Sequence, residues 1–110
     1  MNPYDKTVTW LGGKIKSPPM STEARQKAGF LVRMIQAGEI LSMPESRPMP
    51  SIGPRCHELR IPDGNLTWRV IYRIDPGAVI LVEMFAKKDR KTPKKVIDTC
   101  KARLKAFDDE

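Results

Sequence analysis

The stretch RCHELRIPDGNLTWRVIYRID, residues 55–75, decides the fold. It holds two runs rich in β-branched and aromatic residues, RCHELRI (55–61) and TWRVIYRI (67–74), with a turn signal at Asp63-Gly64 between them. Such residues suit a pleated, half-buried surface, and Asp-Gly between two such runs signals a hairpin. Side chains of a strand alternate between its faces. With an even number of loop residues at the turn, Glu58, Arg60, Arg69, Ile71 and Arg73 share one face. His57, Leu59, Trp68, Val70 and Tyr72 share the other, which is apolar enough to be the core.

Working outward, AVILVEMFA (78–86) is a third strand, reached through a turn at Pro76-Gly77. An even turn there adds Ile80, Val82, Met84 and Ala86 to the arginine face, with Lys88 following in phase. KTVTWLG (6–12) is a short strand with Val8 and Trp10 on one face. Ser21 can N-cap a helix from about Thr22 to Ala37, where Ala24, Ala28, Leu31 and Ile35 form one face and Gly38 stops the helix. The segment ILSMPESRPMPSIGPR (40–55), with four prolines, reads as an ordered connector crossing the sheet. Thr92 caps a last helix with Pro93 at its first position, and Ile97, Cys100, Leu104 and Phe107 make its apolar stripe. The pattern predicts one α+β domain over 1–110. Its antiparallel sheet has about four strands, an N-terminal helix packs on one face, and an amphipathic helix ends the chain.

A chain of 110 residues, 40% hydrophobic and 30% charged, can form one modest core. No run approaches the ~20 apolar residues of a membrane helix, and MNPYDKTVTW lacks a signal-peptide core, so a cytoplasmic protein is expected. Cys56 and Cys100 read as small core residues. One histidine and no paired-cysteine spacing leave no zinc site, and neither a metal nor another cofactor is expected.

The net charge of +7 has an address. Residues 87–105 hold nine Lys or Arg against two Asp, whereas the rest of the chain balances eleven against eleven. Concentration of the whole imbalance in one stretch, opening with FAKKDRKTPKKV (85–96), is how a footprint for a polyanion is built. Arginine presents a planar fork of donors to phosphate oxygens, and fixed cations stabilise a pentacoordinate phosphorane. The same residues could instead cover the outer face of the sheet, with Glu58 paired to Arg60 or Arg69.

The runs HELRIPDG, TWRVIYRID and ILVEMFAKKDRKTPKKVID, together with SMPESRPMPSIGPRCHELRI upstream, resemble the RelE/ParE toxin superfamily, and within it the phage-derived HigB-like branch. The resemblance covers roughly residues 5–107. It implies a compact toxin with its helices on one side of a small antiparallel sheet. It also implies a type II toxin–antitoxin pair, whose toxin cuts mRNA in the ribosome without a metal through attack of the ribose 2′-OH on the adjacent phosphate. The implied partners are the ribosome, mRNA and a cognate antitoxin, a small helix-turn-helix protein encoded alongside. By the same resemblance Arg69, Lys88 and Arg60 are catalytic candidates, and Glu58 joins them as a possible base. Arg73, Lys87, Arg90, Lys91, Lys94 and Lys95 are candidate RNA contacts. One departure stands out: some relatives use a C-terminal tyrosine or histidine for proton transfer, whereas here Tyr4, Tyr72 and His57 are the only such residues. A ParE-like gyrase inhibitor and a non-catalytic phage-derived nucleic-acid-binding protein are the competing expectations.

Overall fold

The structure, a computed structural model, describes residues 5–13, 20–88 and 91–110. Five strands and two helices follow in the order β1 (Thr7–Trp10), α1 (Thr22–Gln36), β2 (Ser46–Pro48), β3 (Cys56–Asp63), β4 (Leu66–Ile74), β5 (Ala78–Lys87) and α2 (Lys94–Asp108). They build a single sheet of order β1-β5-β4-β3-β2. The β2-to-β5 ladders are antiparallel, but β1 runs parallel to β5, so the sheet is mixed and five-stranded. The expected count of four fell short because β2 is only three residues long and lies inside the proline-rich connector.

The hairpin at the centre obeys the parity argument. Asp63 pairs with Leu66, leaving a two-residue loop, and Gly64 takes a left-handed φ of 63° that costs glycine nothing. Leu59, Ile61, Trp68, Val70 and Tyr72 pack against Ala24, Leu31 and Ile35 of α1. Ser21 caps α1 by accepting from the Ala24 N–H at 3.1 Å. Asp63 then ties this helix start to the hairpin tip, accepting from the Ser21 N–H and from Trp68 Nε1. Those bonds favour the ionised carboxyl and hold its pKa below the ordinary value.

The opposite face carries a second core. Cys56, Ile71, Ile80 and Val82 meet Cys100 and Leu104 of α2, with Met49 and Ile52 of the connector. The two helices therefore lie on opposite faces of the sheet, not on one side. Cys56 of β3, Ile71 of β4 and Ile80 and Val82 of β5 make an apolar patch on the arginine face, and that patch needs its own cover. Burial raises the thiol pKa of both cysteines, that of Cys100 to about 12, so they are inert core groups.

One irregularity resets the outer part of the sheet. Tyr72 pairs with Leu81 and Ile71 with Glu83, so Val82 is an extra residue, a β-bulge in β5. Arg103 of α2 stabilises it, donating to the Val82 carbonyl at 2.9 Å and pairing with Glu83 at 3.0 Å. Beyond the bulge the phase of β5 is reversed. Met84 and Ala86 pack on the α1 side, not the arginine side, and Phe85 comes opposite Arg69. Among the described residues no helix is long and apolar enough to cross a membrane.

Candidate nucleic-acid interface

Residues that share the α2 face of the sheet split into two charged ends around the second core. Arg73 occupies one end. Its guanidinium makes two bonds to Asp75 and two to Asp108 near the C-terminus of α2, all between 2.8 and 2.9 Å. These carboxylates hold the Arg73 pKa above its ordinary value, while the guanidinium holds Asp108 below its own. Arg73 is thus a clasp between β4 and α2, and its buried, doubly paired guanidinium is not presented as an RNA contact.

The other end is built around Glu58, which is fully buried. Arg47, its direct partner across the β2–β3 ladder, donates from Nε to Oε1 at 2.9 Å. Arg69, only 1% exposed, places Nη1 3.6 Å from the same oxygen. Thr92 donates its hydroxyl to the other oxygen at 2.8 Å and accepts from Arg47 Nη2 at 3.2 Å. A carboxylate taken out of water needs such a shell, and here two guanidiniums and a hydroxyl supply it. Arg60 stands directly opposite Arg69, a pairing of like charges that the ladder tolerates only with an anion nearby.

Four expectations change as a result. Glu58 and Arg69 come together, but as a buried pair beneath the surface; neither side chain is open to a substrate. Thr92 does not cap α2: it lies one position before the cap, and its hydroxyl oxygen accepts from Arg47 while donating to Glu58. Pro93 holds the cap position with no side-chain bond, and the helix begins at Lys94. The bulge takes Lys88 out of phase with the arginine face and brings Lys87 into it, opposite Thr67.

Lys88, Lys91, Lys94 and Lys95 are all exposed. Lys94 is paired with Asp98 across one helical turn. Arg90 and Tyr4 lie outside the described residues. His57 and Tyr72 stack at 5.3 Å on the α1 side, where Tyr72 shares a 2.6 Å hydrogen bond with Ser46. Burial lowers the His57 pKa and raises that of Tyr72. Neither ring reaches the Glu58 end, as strand parity predicted.

Beside the Glu58 cluster runs a shallow groove of about 680 Å³. Pro48, Met49 and Ile97 give it an apolar lining, and Arg47, Ser51, Lys91 and Thr92 a polar one. Arg47 and this use of Thr92 were missed from sequence. The one signal for Arg47 was an isolated cation between prolines in PESRPMP (44–50), which has meaning only once the β2–β3 register sets it opposite Glu58.

The mixed sheet, its two covering helices and the cationic end define the class: a small basic α+β protein with an arginine-bearing sheet face. The chain belongs to the phage-derived protein Gp49-like family, whose model matches residues 19–105 and which lies within the RelE/HigB-like toxin clan. No match to a curated protein was found.

Proposed function

We propose that this protein is the toxin of a type II toxin–antitoxin pair, of the HigB-like kind, and that it cuts mRNA on the translating ribosome. The observation that carries the reading is the surplus of positive charge at the Glu58 end. One buried carboxylate serves Arg47 and Arg69, Arg60 stands beside them, and exposed Lys88 and Lys91 follow in the adjoining loop. A polyanion is the chemical complement of such an end.

In the reaction the ribose 2′-oxygen attacks the neighbouring phosphorus and the bond to the 5′-oxygen breaks. A cyclic phosphate and a 5′-hydroxyl result; the proton lost from the 2′-oxygen is balanced by one gained at the leaving oxygen. Phosphorus passes through a more highly charged pentacoordinate state, which Arg60, Lys87, Lys88 and Lys91 would stabilise. Glu58 and Arg69 act from below as positioning residues, fixing Arg47 and the start of α2. With His57 and Tyr72 on the other face, the described residues offer lysine amines for proton transfer, and alignment by the ribosome contributes the remainder. The partner expected to silence the toxin is an acidic antitoxin segment covering the cationic end.

The test is controlled expression of the wild type and a Lys87→Ala/Lys88→Ala/Lys91→Ala variant, with mRNA 5′ ends mapped before and after translation is blocked. Translation-dependent cuts within codons that disappear in the variant support the reading. Growth arrest with intact mRNA and a DNA-damage response would replace it with gyrase inhibition.

A further inference from the structure

We infer that the groove between the β2 connector and the start of α2 seats an unstacked nucleobase of single-stranded RNA, with the face of Arg47 as its stacking platform. The inference deepens the proposed function and rests on it. Three observations carry it.

Arg47 is held edge-on. Its Nε and Nη2 point to Glu58 and Thr92, so hydrogen bonds fix the guanidinium plane, while the side chain remains 29% exposed where it lines the groove. A guanidinium fixed by its edge presents its flat face, the surface on which RNA-binding proteins stack bases. Each side also carries an apolar surface, Pro48 and Met49 from the connector and Ile97 from α2, on which a ring can rest. At about 680 Å³ the groove has the size of a small-ligand site. The rim, finally, is cationic among the described residues. Lys91 is exposed there, and the chain's whole charge excess begins a few residues away. A shallow groove with apolar patches and a positive rim fits a nucleotide: its base lies in the groove and its phosphate stays at the lysines.

Fluorescence anisotropy with labelled probes tests the assignment on the full chain. The probes are a short single-stranded RNA, an abasic strand of equal length and charge, and polyglutamate. The wild type should bind the RNA about tenfold more tightly than the abasic strand, the scale of one stacked base. Ser51→Trp, a change at an exposed turn, fills the groove and should abolish that preference while leaving abasic-strand affinity unchanged. Ser51→Ala should keep the preference, which shows that the indole and not the loss of the hydroxyl is responsible. Equal binding of RNA and abasic strand by the wild type would overturn the base seat and leave the proposed function standing. Failure to bind either strand at low salt would overturn both. Polyglutamate binding that Ser51→Trp alone abolishes would assign the groove to an acidic protein segment instead.

Discussion

The two ends of one sheet face make an instructive pair. At the Arg73 end, Arg55 and Arg73 meet Asp75 and Asp108, so cations and anions are matched two to two. At the other end Arg47 and Arg69 share a single carboxylate, Glu58, and Arg60 stands opposite Arg69. Both clusters pin α2 to the sheet, one at each end of the helix. Only the second leaves charge unbalanced, and Lys88 and Lys91 lie beside it. Arginine content therefore does not separate the two ends. The ratio of arginine to carboxylate does, and the proposed polyanion site rests on it.

The comparison breaks most severely at Glu58. Glu58→Ala takes the carboxylate away from buried Arg69, and about 3–5 kcal/mol of stability should vanish in a urea titration. A loss below 1 kcal/mol would mean that the carboxylate is not what holds this end together. Thr92→Val removes one bond to the buried oxygen and should cost about 1–3 kcal/mol by the same measurement. If its effect matched a substitution at exposed Lys94, the hydroxyl would have no part in the network.

The lysine side of the comparison is sharpened by salt. Replacing Lys87, Lys88 and Lys91 with alanine should flatten the dependence of RNA affinity on salt, by up to about 0.7 in log–log slope for each phosphate that a lysine no longer neutralises. The fold should survive, because Lys88 and Lys91 are exposed and Lys87 is the last residue of β5. An unchanged slope would move the polyanion site elsewhere.

The smallest effect is expected at the balanced end. Asp108 has its folded pKa held down by Arg73, so its contribution to stability is present above the unfolded pKa of about 3.9 and fades as pH falls through the lower folded value. Asp108→Asn should remove that part of the acid sensitivity in a pH series of thermal melts. RNA binding at neutral pH should stay as it was. A variant whose acid sensitivity equals the wild type's would show that the clasp does not titrate.

Much of this arrangement could be read from the chain, and the remainder had physical reasons to stay hidden. The start and stop of α1 are local chemistry, Ser21 at one end and Gly38 at the other, and they stand where expected. The two-residue turn set the faces of β3 and β4 because parity needs only a loop length. Parity failed in β5, where the bulge depends on Arg103, a residue 21 positions from the carbonyl it binds. The burial of Arg69 was equally distant from local rules. It follows from a carboxylate whose other partners come from the connector at Arg47 and the loop at Thr92. A threonine before a proline looks like a helix cap unless its hydroxyl accepts from a stronger donor, and Arg47 Nη2 is that donor.

The extra residue in β5 also bears on how the basic segment of this chain can vary. A strand that gains or loses one residue swaps every later side chain between faces. A ladder running regularly through Val82, with no bulge, would return Lys88 to the arginine side and turn Lys87 away. Because two lysines are adjacent, either phase sets a lysine in line with Arg69. The doublet at 87 and 88 thus acts as insurance against insertions and deletions upstream: the strand can change its count by one without emptying that position of charge.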